Sequence, residues 1–361
     1  MKLTGAIKTL IVDDSPSVRA VLARILGEQE GIQVVGGARN AAEARELILA
    51  HRPDVIVLDI QMPNGAGLTF LRKLAIHYPV PVIACGEPTK DGHEAGVRAT
   101  ELGAIDVVSK PRSITGRTLS MWSEDLVHKI LAAAASRPAP PPLPATASSP
   151  PSLFRNASLD PNRYLVLIGA STGGTEALRQ ILRITPPDFP PVAIVQHMPE
   201  GFTASFAQHL DTQSPLRVSE AADGDLLKPG KAFIARGGRQ MRVVHSHPEP
   251  RIACGETEPV NRHCPSVDVL FDSALRIANR KLVGVLLTGM GADGAKGLLR
   301  LRHAGALTIG QDQRSCVVYG MPKVAAELGA VQIQCPPDEV PGTIIRALRA
   351  AENPRHTVSV R

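Results

Sequence analysis

Two sets of residues in this 361-residue chain have the types and spacing needed for chemistry. The first lies near the N-terminus. Asp13-Asp14 end the apolar run IKTLIVDD (7–14), Asp59 lies near the end of DVIVLDI (54–60), and Lys110 ends DVVSK (106–110), followed by Pro111. Carboxylates that converge at strand ends repel one another and call for a divalent cation, and hard oxygen donors suit Mg²⁺. A carboxylate beside such an ion can attack a phosphoryl donor and form an acyl phosphate. A neighbouring lysine can neutralise the transferred group. A single acid at a strand end reads more simply as a helix cap, but four groups at matching ends are a far more specific pattern.

The second set lies past the middle of the chain. Gly169-Ala-Ser171-Thr-Gly173 fits G-x-S-x-G, which presents a serine at a tight strand-to-helix turn. The alternative is a glycine-rich anion or dinucleotide loop, although the P-loop lysine and a clear G-x-G-x-x-G are both missing. The next apolar run ends in Gln196-His197-Met198-Pro199, and Thr288-Gly289-Met290-Gly291-Ala292-Asp293 follows another. Ser171 as nucleophile, His197 as base and Asp293 as its orienter form a chemically complete set. Their order, Ser then His then Asp, differs from the Ser, acid, His order of the common α/β-hydrolase esterases.

Apolar runs alternating with amphipathic stretches must position these groups. Strands are expected at 7–14, 32–38, 54–60, 81–85 and 106–110, with helices near 16–27, 40–50, 67–76, 92–102 and 118–134. A second series of strands falls at 164–172, 191–198, 281–289, 306–312 and 331–335. Strands apolar on both faces that alternate with helices imply parallel sheets covered on both sides. Ligands then sit beyond the carboxyl ends of the strands. The fold class is therefore α/β, with two doubly wound parallel-sheet domains. Between 215 and 262, LRVSEA, KAFIAR, MRVVHSH and RIACGE are short, β-rich and separated by Gly/Pro turns, so a small antiparallel insertion is expected there. Residues 137–151 hold seven prolines in fifteen positions, too many for a helix or sheet. The expected domains are 1–134 and 163–351, joined by a Pro-rich linker over 135–162 and followed by a polar tail over 352–361.

Composition narrows the function further. Aromatics are only 3% of the chain, which leaves little for stacking on single-stranded nucleic acid. No helix-turn-helix pattern or dense basic block marks a DNA binder. No apolar run approaches the roughly 18 residues of a membrane-spanning helix, and the N-terminus lacks a secretory signal, so a cytoplasmic location without membrane insertion is expected. The five cysteines form no C-x-x-C pair and read as small hydrophobes rather than a disulfide framework or zinc site. His263-Cys264 and His245-x-His247 likewise lack a second ligand pair at zinc spacing. The first 131 residues are charge-neutral, so the whole net charge of +6 lies in the remainder, where it can steer an acidic partner.

With Asp13-Asp14, Asp59, Met62-Pro63, Gly67 and Lys110-Pro111 in place, the first domain resembles the response-regulator receiver family. That resemblance implies phosphorylation of Asp59 by a sensor histidine kinase of a chemotaxis-type pathway, Mg²⁺ held by Asp13, Asp14 and Asp59, and phosphoryl binding by Lys110. Two positions depart from the family: Gly86 stands where Ser or Thr is usual, and Val107 where an aromatic switch residue is usual. The second domain resembles the catalytic domain of the chemotaxis protein-glutamate methylesterases through GASTGG, QHMP, NRHCPSVDVLFDS (261–273), LLTGMGADG (286–294) and TIGQDQRSCVVYGMP (308–322). This implies hydrolysis of glutamyl methyl esters on methyl-accepting chemotaxis receptors, with release of methanol and no cofactor. The backbone N–H groups of Thr172 and Met290 would form an oxyanion hole. Some members of that family also deamidate receptor glutamine. In the family the receiver lies over the active site, and phosphorylation relieves the block. FIARGGRQM (233–241) departs from the family pattern, with Arg236 in place of Pro and Gln240 in place of His. Two other readings remain open at this stage, a phospho-regulated interaction module with a silent site and a DNA-binding regulator.

Overall fold

Strands apolar on both faces must be covered on both sides, and this requirement shapes both halves of the chain. The computed structural model describes residues 5–111, 116–136, 159–246, 249–277 and 280–352. The Pro-rich run at 137–151, His247 and the tail beyond 352 lie outside the described residues. The chain divides into two compact units, one within residues 1–145 and one within 146–361.

In the first unit, β1 (Ile7–Val12), β2 (Ile32–Ala38), β3 (Val55–Asp59), β4 (Val82–Gly86) and β5 (Asp106–Ser109) form a five-stranded sheet of order β2-β1-β3-β4-β5. Every pairing is parallel. Between the strands run α1 (Pro16–Gly27), α2 (Ala41–His51), α3 (Ala66–His77) and α4 (Lys90–Glu101), and α5 (Gly116–Ala135) follows the last. Local chemistry starts three of these helices. The side chains of Ser15, Asn40 and Thr89 accept backbone N–H groups of the first turns of α1, α2 and α4, donors that would otherwise be unsatisfied. The strand order reverses between β1 and β3, and the crevice of such a sheet opens at that switch point. Asp13 and Asp14 lie just past β1, Asp59 is the last residue of β3, and Lys110 follows β5.

The second unit holds seven strands in the order β14-β13-β12-β6-β7-β9-β8. They are β6 (Tyr164–Ala170), β7 (Val192–Gln196), β8 (Arg217–Glu220), β9 (Lys231–Ile234), β12 (Lys281–Leu286), β13 (Leu307–Gln311) and β14 (Ile333–Cys335), and all pair in parallel. β6 is central, and all seven of its residues are buried. α6 (Gly174–Ile184) follows β6, and α7 (Phe202–Gln213) follows β7. The antiparallel element is smaller than the sequence suggests. LRVSEA and KAFIAR supply β8 and β9, which extend the main sheet in parallel. Only β10 (Met241–Val244) and β11 (Arg251–Cys254) pair antiparallel, and they form a separate two-stranded ribbon. Four-residue strands between Gly/Pro turns give no sign of pairing direction, and the connection from β8 to β9 is a loop without a helix, so the usual cue to a parallel crossover is missing. All five cysteines are free thiols; Cys85, Cys316 and Cys335 are buried, and Cys254 and Cys264 are half-buried. Among the described residues no helix is long and apolar enough to cross a membrane.

α8 (Val267–Ala274) matters most for the site. It packs its first residue against two glycines. A Cβ on Gly169 of β6 would lie 2.2 Å from Val267 Cγ1, and one on Gly294, at φ +82°, would lie 2.5 Å from the same atom. The missing side chains let the start of α8 come down onto the end of β6. Overpacking a tight contact of this kind costs about 1–3 kcal/mol. Gly169→Ala is therefore expected to lower stability by that amount in chemical denaturation, and Val267→Ala in the same chain should recover part of the loss. Additive losses in the double variant would show that the two positions do not share the contact.

Candidate active site and phosphoacceptor site

Ser171, His197 and Asp293 follow β6, β7 and β12, three neighbouring strands. The parallel register pairs Ala170 with Gln196, so Ser171 and His197 leave the sheet side by side. The His197 N–H donates to the Ala170 carbonyl at 3.0 Å. Gln196 ties the two together from below, its amide donating to the carbonyls of Ser171 (3.0 Å) and His197 (3.1 Å). The left-handed residue of the turn after Ser171 is Gly173, at φ +78°, and a Cβ there would meet Val317 at 2.5 Å. Ser171 itself does not adopt a left-handed backbone. The strain that G-x-S-x-G elbows place on their nucleophile thus falls on a glycine here.

The Asp293 carboxylate is 3% exposed and accepts five hydrogen bonds. His197 Nε2 lies 2.9 Å from Oδ2, and the Val267 N–H donates to the same oxygen at 2.6 Å. Oδ1 receives Asn261 Nδ2 at 2.7 Å, Ser266 Oγ at 2.8 Å and the Asp268 N–H at 3.3 Å. Two of these donors are the first N–H groups of α8, where the helix dipole favours negative charge. Burial pushes the Asp293 carboxyl up, but His197, Asn261 and the Val267 N–H outweigh it and hold the group well below the usual carboxylate range. His197 Nδ1 is buried and has no hydrogen-bond partner among the described residues. With Nε2 on the aspartate, Nδ1 is the ring nitrogen available for a proton.

Thr172 and Met290 are held in adjacent turns. The Ser171 N–H donates to the Thr288 carbonyl at 3.0 Å. Thr288 Oγ1 donates to the Thr172 carbonyl at 3.0 Å and accepts the Val318 N–H at 2.9 Å. The Thr288 N–H is received by Gln311 at 2.8 Å. Sequence reasoning missed Thr288, Gln311, Asn261 and Ser266 as supports of the site. The run NRHCPSVDV was visible, but nothing in it announces which carboxylate its donors would meet.

The acidic cluster of the first unit is also assembled. One oxygen from each of Asp13, Asp14 and Asp59 lies within 4.8 Å of the others, and this all-oxygen set fits a hard divalent cation. Lys110 Nζ lies 2.8 Å from Asp59 Oδ2 and 3.0 Å from Asp13 Oδ2. Burial disfavours the lysine's charge, yet Asp59 and Asp13 more than compensate and raise its pKa. Burial also raises Asp13, against the lowering pull of Lys110. Arg19 donates to the carbonyls of Asp13 and Asp14 at 2.6 and 3.0 Å, fixing the acidic turn. Gly86 closes β4, and its carbonyl accepts the Lys110 N–H at 2.7 Å. The next residue, Glu87, reaches Lys110 at 3.6 Å and was not singled out from sequence. Val107 is buried in β5, and its carbonyl accepts the buried Lys129 ammonium at 2.7 Å. The ring near this strand end belongs instead to Trp122 of α5, whose indole N–H donates to the Ser109 carbonyl at 2.6 Å.

Comparison with known proteins agrees with both halves. Residues 166–344 match the family described as CheB methylesterase, and residues 9–116 match the response regulator receiver domain. The chain is 44% identical over 345 residues to protein-glutamate methylesterase/protein-glutamine glutaminase 1 of Dechloromonas aromatica, covering 95% of this chain and 99% of that one. It is 46% identical over 353 residues to the protein of the same name, numbered 2, of Bordetella avium, covering 98% and 99%. Among solved structures, the CheB methylesterase catalytic domain of Thermotoga maritima aligns at 38% identity with a TM-score of 0.49, over 51% of this chain and 97% of that one.

The buried carboxylate leads to a pH signature. Because the folded state holds Asp293 below its unfolded pKa of about 3.9, its contribution to stability is full above that value and is lost as pH falls toward the folded one. Asp293→Asn leaves donors poorly matched and is expected to cost about 1–3 kcal/mol at neutral pH. The gap between wild type and variant should narrow as pH drops below about 4, read by denaturant midpoints across pH. A gap that stays constant would show that the charge of Asp293 contributes nothing to stability.

Proposed function

This chain belongs to the CheB methylesterase family, with a response regulator receiver domain ahead of the hydrolase, and from that premise we propose that it demethylates glutamyl methyl esters on methyl-accepting chemotaxis receptors under the control of phosphorylation. The observation that carries this reading is the His197–Asp293 pair beside Ser171: a buried, charge-stabilised carboxylate at 2.9 Å from one ring nitrogen, with the other left for the serine proton.

The reaction follows from these atoms. His197 Nδ1 takes the Ser171 hydroxyl proton as Oγ attacks the ester carbonyl. The oxyanion that forms is received by the backbone N–H groups of Thr172 and Met290, a contribution worth about 3–4 kcal/mol per donor in related hydrolases. Asp293 stabilises the imidazolium. The C–O bond breaks, methanol leaves with the proton from His197, and an acyl-serine remains. Water, deprotonated by His197, then attacks this ester, releasing the free glutamate side chain and restoring Ser171. The same steps on receptor glutamine release ammonia. No cofactor takes part. Use of Nε2 for the aspartate and Nδ1 for the serine reverses the ring assignment of the trypsin-type triad.

In the receiver, Asp59 is the proposed phosphoacceptor and Lys110 the phosphoryl-binding cation, with the donor a sensor histidine kinase of the same pathway. Asp13, Asp14 and Asp59 would hold Mg²⁺, which when bound offsets the charge of the phosphoryl group. We assign the receiver to 1–134, the linker to 135–162, the hydrolase to 163–351 and the tail to 352–361. The place of action is the cytoplasm, at the methylated helices of the receptors, with no nucleic-acid partner and no insertion into the membrane.

The test is methanol release from methylated receptor membranes. Ser171→Ala is expected to lower the rate by about 10⁴-fold or more, and a small phosphodonor should raise the rate of wild type but not of Asp59→Asn. Release that persists in Ser171→Ala would remove the nucleophile, and a donor response that persists in Asp59→Asn would remove the acceptor.

A further inference from the structure

The His197 ring has a neighbour that no step above uses. The imidazole of His263 lies flat against it, with ring centroids 3.6 Å apart and planes inclined by 10°. His263 belongs to the loop between β11 and α8, and Gln240, just before β10, secures that loop. The Gln240 side chain is 2% exposed, and its amide is fully engaged. Nε2 donates to the carbonyls of Glu258 (3.0 Å) and His263 (3.1 Å), while Oε1 accepts the Ser266 N–H at 2.8 Å. The His263 backbone also exchanges two hydrogen bonds with Val260, each 2.9 Å. Between these fixed points Asn261 and Arg262 adopt left-handed backbone at φ +53° and +68°, a conformation that non-glycine residues hold only when their surroundings impose it.

We infer that His263, fixed by Gln240, is a positioning residue for the hydrolytic base, and that its stacked ring keeps His197 Nε2 on Asp293 and Nδ1 available for the serine proton. This rests on the reading of Ser171, His197 and Asp293 as a hydrolytic set. The physical argument is steric. To exchange its two nitrogens, the His197 ring must swing through an orientation perpendicular to its present plane. A flat ring at 3.6 Å blocks that swing without requiring a hydrogen bond. Any planar side chain of similar thickness would serve, whereas a small one would not. Gln240 suits the clamp chemically, because one amide supplies two donors and an acceptor. A neutral imidazole, the family's usual group at this position, has only one of each.

Two readouts separate this inference from the receptor assignment. The first is the rate at which a small fluorophosphonate probe labels Ser171, with loss of fluoride and transfer of the hydroxyl proton to His197. The second is methanol release from methylated receptors, resolved into kcat and KM. His263→Ala is expected to slow labelling and lower kcat by about 10- to 100-fold, the scale for a misplaced catalytic group, with KM little changed. His263→Phe should restore both to near wild type. Gln240→Ala should slow labelling less than His263→Ala, and the double variant should be no slower than His263→Ala alone. Thermal unfolding of each full-length variant reports folding. Labelling of His263→Ala at the wild-type rate overturns the inference. So does a His263→Phe variant that melts like wild type but labels as slowly as His263→Ala. Wild type that labels at Ser171 but releases no methanol from receptors would sink the receptor reading, and the labelling series would still decide the role of His263. Wild type inert in both assays overturns both.

Discussion

A charged carboxylate removed almost entirely from water is the constraint around which the hydrolase half is built. Burying an ion costs several kcal/mol unless well-placed partners replace its hydration. Asp293 receives five donors: one imidazole, one amide, one hydroxyl and two helix N–H groups. Each demand propagates outward. The helix donors need α8 close to β6, which requires Gly169 and Gly294 to lack side chains. The amide donor needs Asn261 in a left-handed turn. The hydroxyl donor needs Ser266, whose N–H is fixed by Gln240 across 26 residues. The ribbon, the loop and the short helix are thus parts of one device for keeping a negative charge inside the protein. His197 is held by this arrangement through Nε2, which lies 2.9 Å from Asp293 Oδ2.

The receiver treats buried acids in the opposite way. Its carboxylates are left in mutual proximity, with Lys110 bridging Asp13 and Asp59, Arg19 on the backbone carbonyls of the acidic turn, and Asp14 exposed. Asp293 has its full complement of donors within the protein, and the three-acid cluster does not. That difference in satisfaction separates a carboxylate held fixed by the protein from a cluster that could take up a hard cation, in keeping with the phosphoacceptor role proposed above. Lys110 likewise sits on Oδ2 of Asp59 and not on Oδ1: among the described residues Oδ1 accepts the Gln61 N–H at 2.9 Å.

Much of this was legible in the chain. Both parallel sheets followed from runs such as YLVLIGA and DVIVLD, too apolar for a one-faced strand. The proposed catalytic groups and the acidic groups could be placed because each closes such a run. The supporting contacts could not be read, since they link distant segments: Asn261 to Asp293 over 32 residues and Thr288 to Thr172 over 116. Strand direction at β8 and β9 was also hidden, because four residues between turns carry no periodicity that distinguishes a sheet edge from a hairpin. Gln240 was visible only as a departure from a family pattern. Its value lies in three hydrogen bonds to a loop that begins fifteen residues later.

Trp122 gives the molecule an optical property. It is the single tryptophan of 361 residues, and its indole N–H rests on the carbonyl of Ser109, next to the lysine that contacts Asp59. All indole emission therefore originates in the receiver, and none in the hydrolase. Light absorbed by tryptophan but not by tyrosine addresses one half of a two-part enzyme without any label, so events at the proposed phosphoacceptor can be timed independently of turnover in the other half.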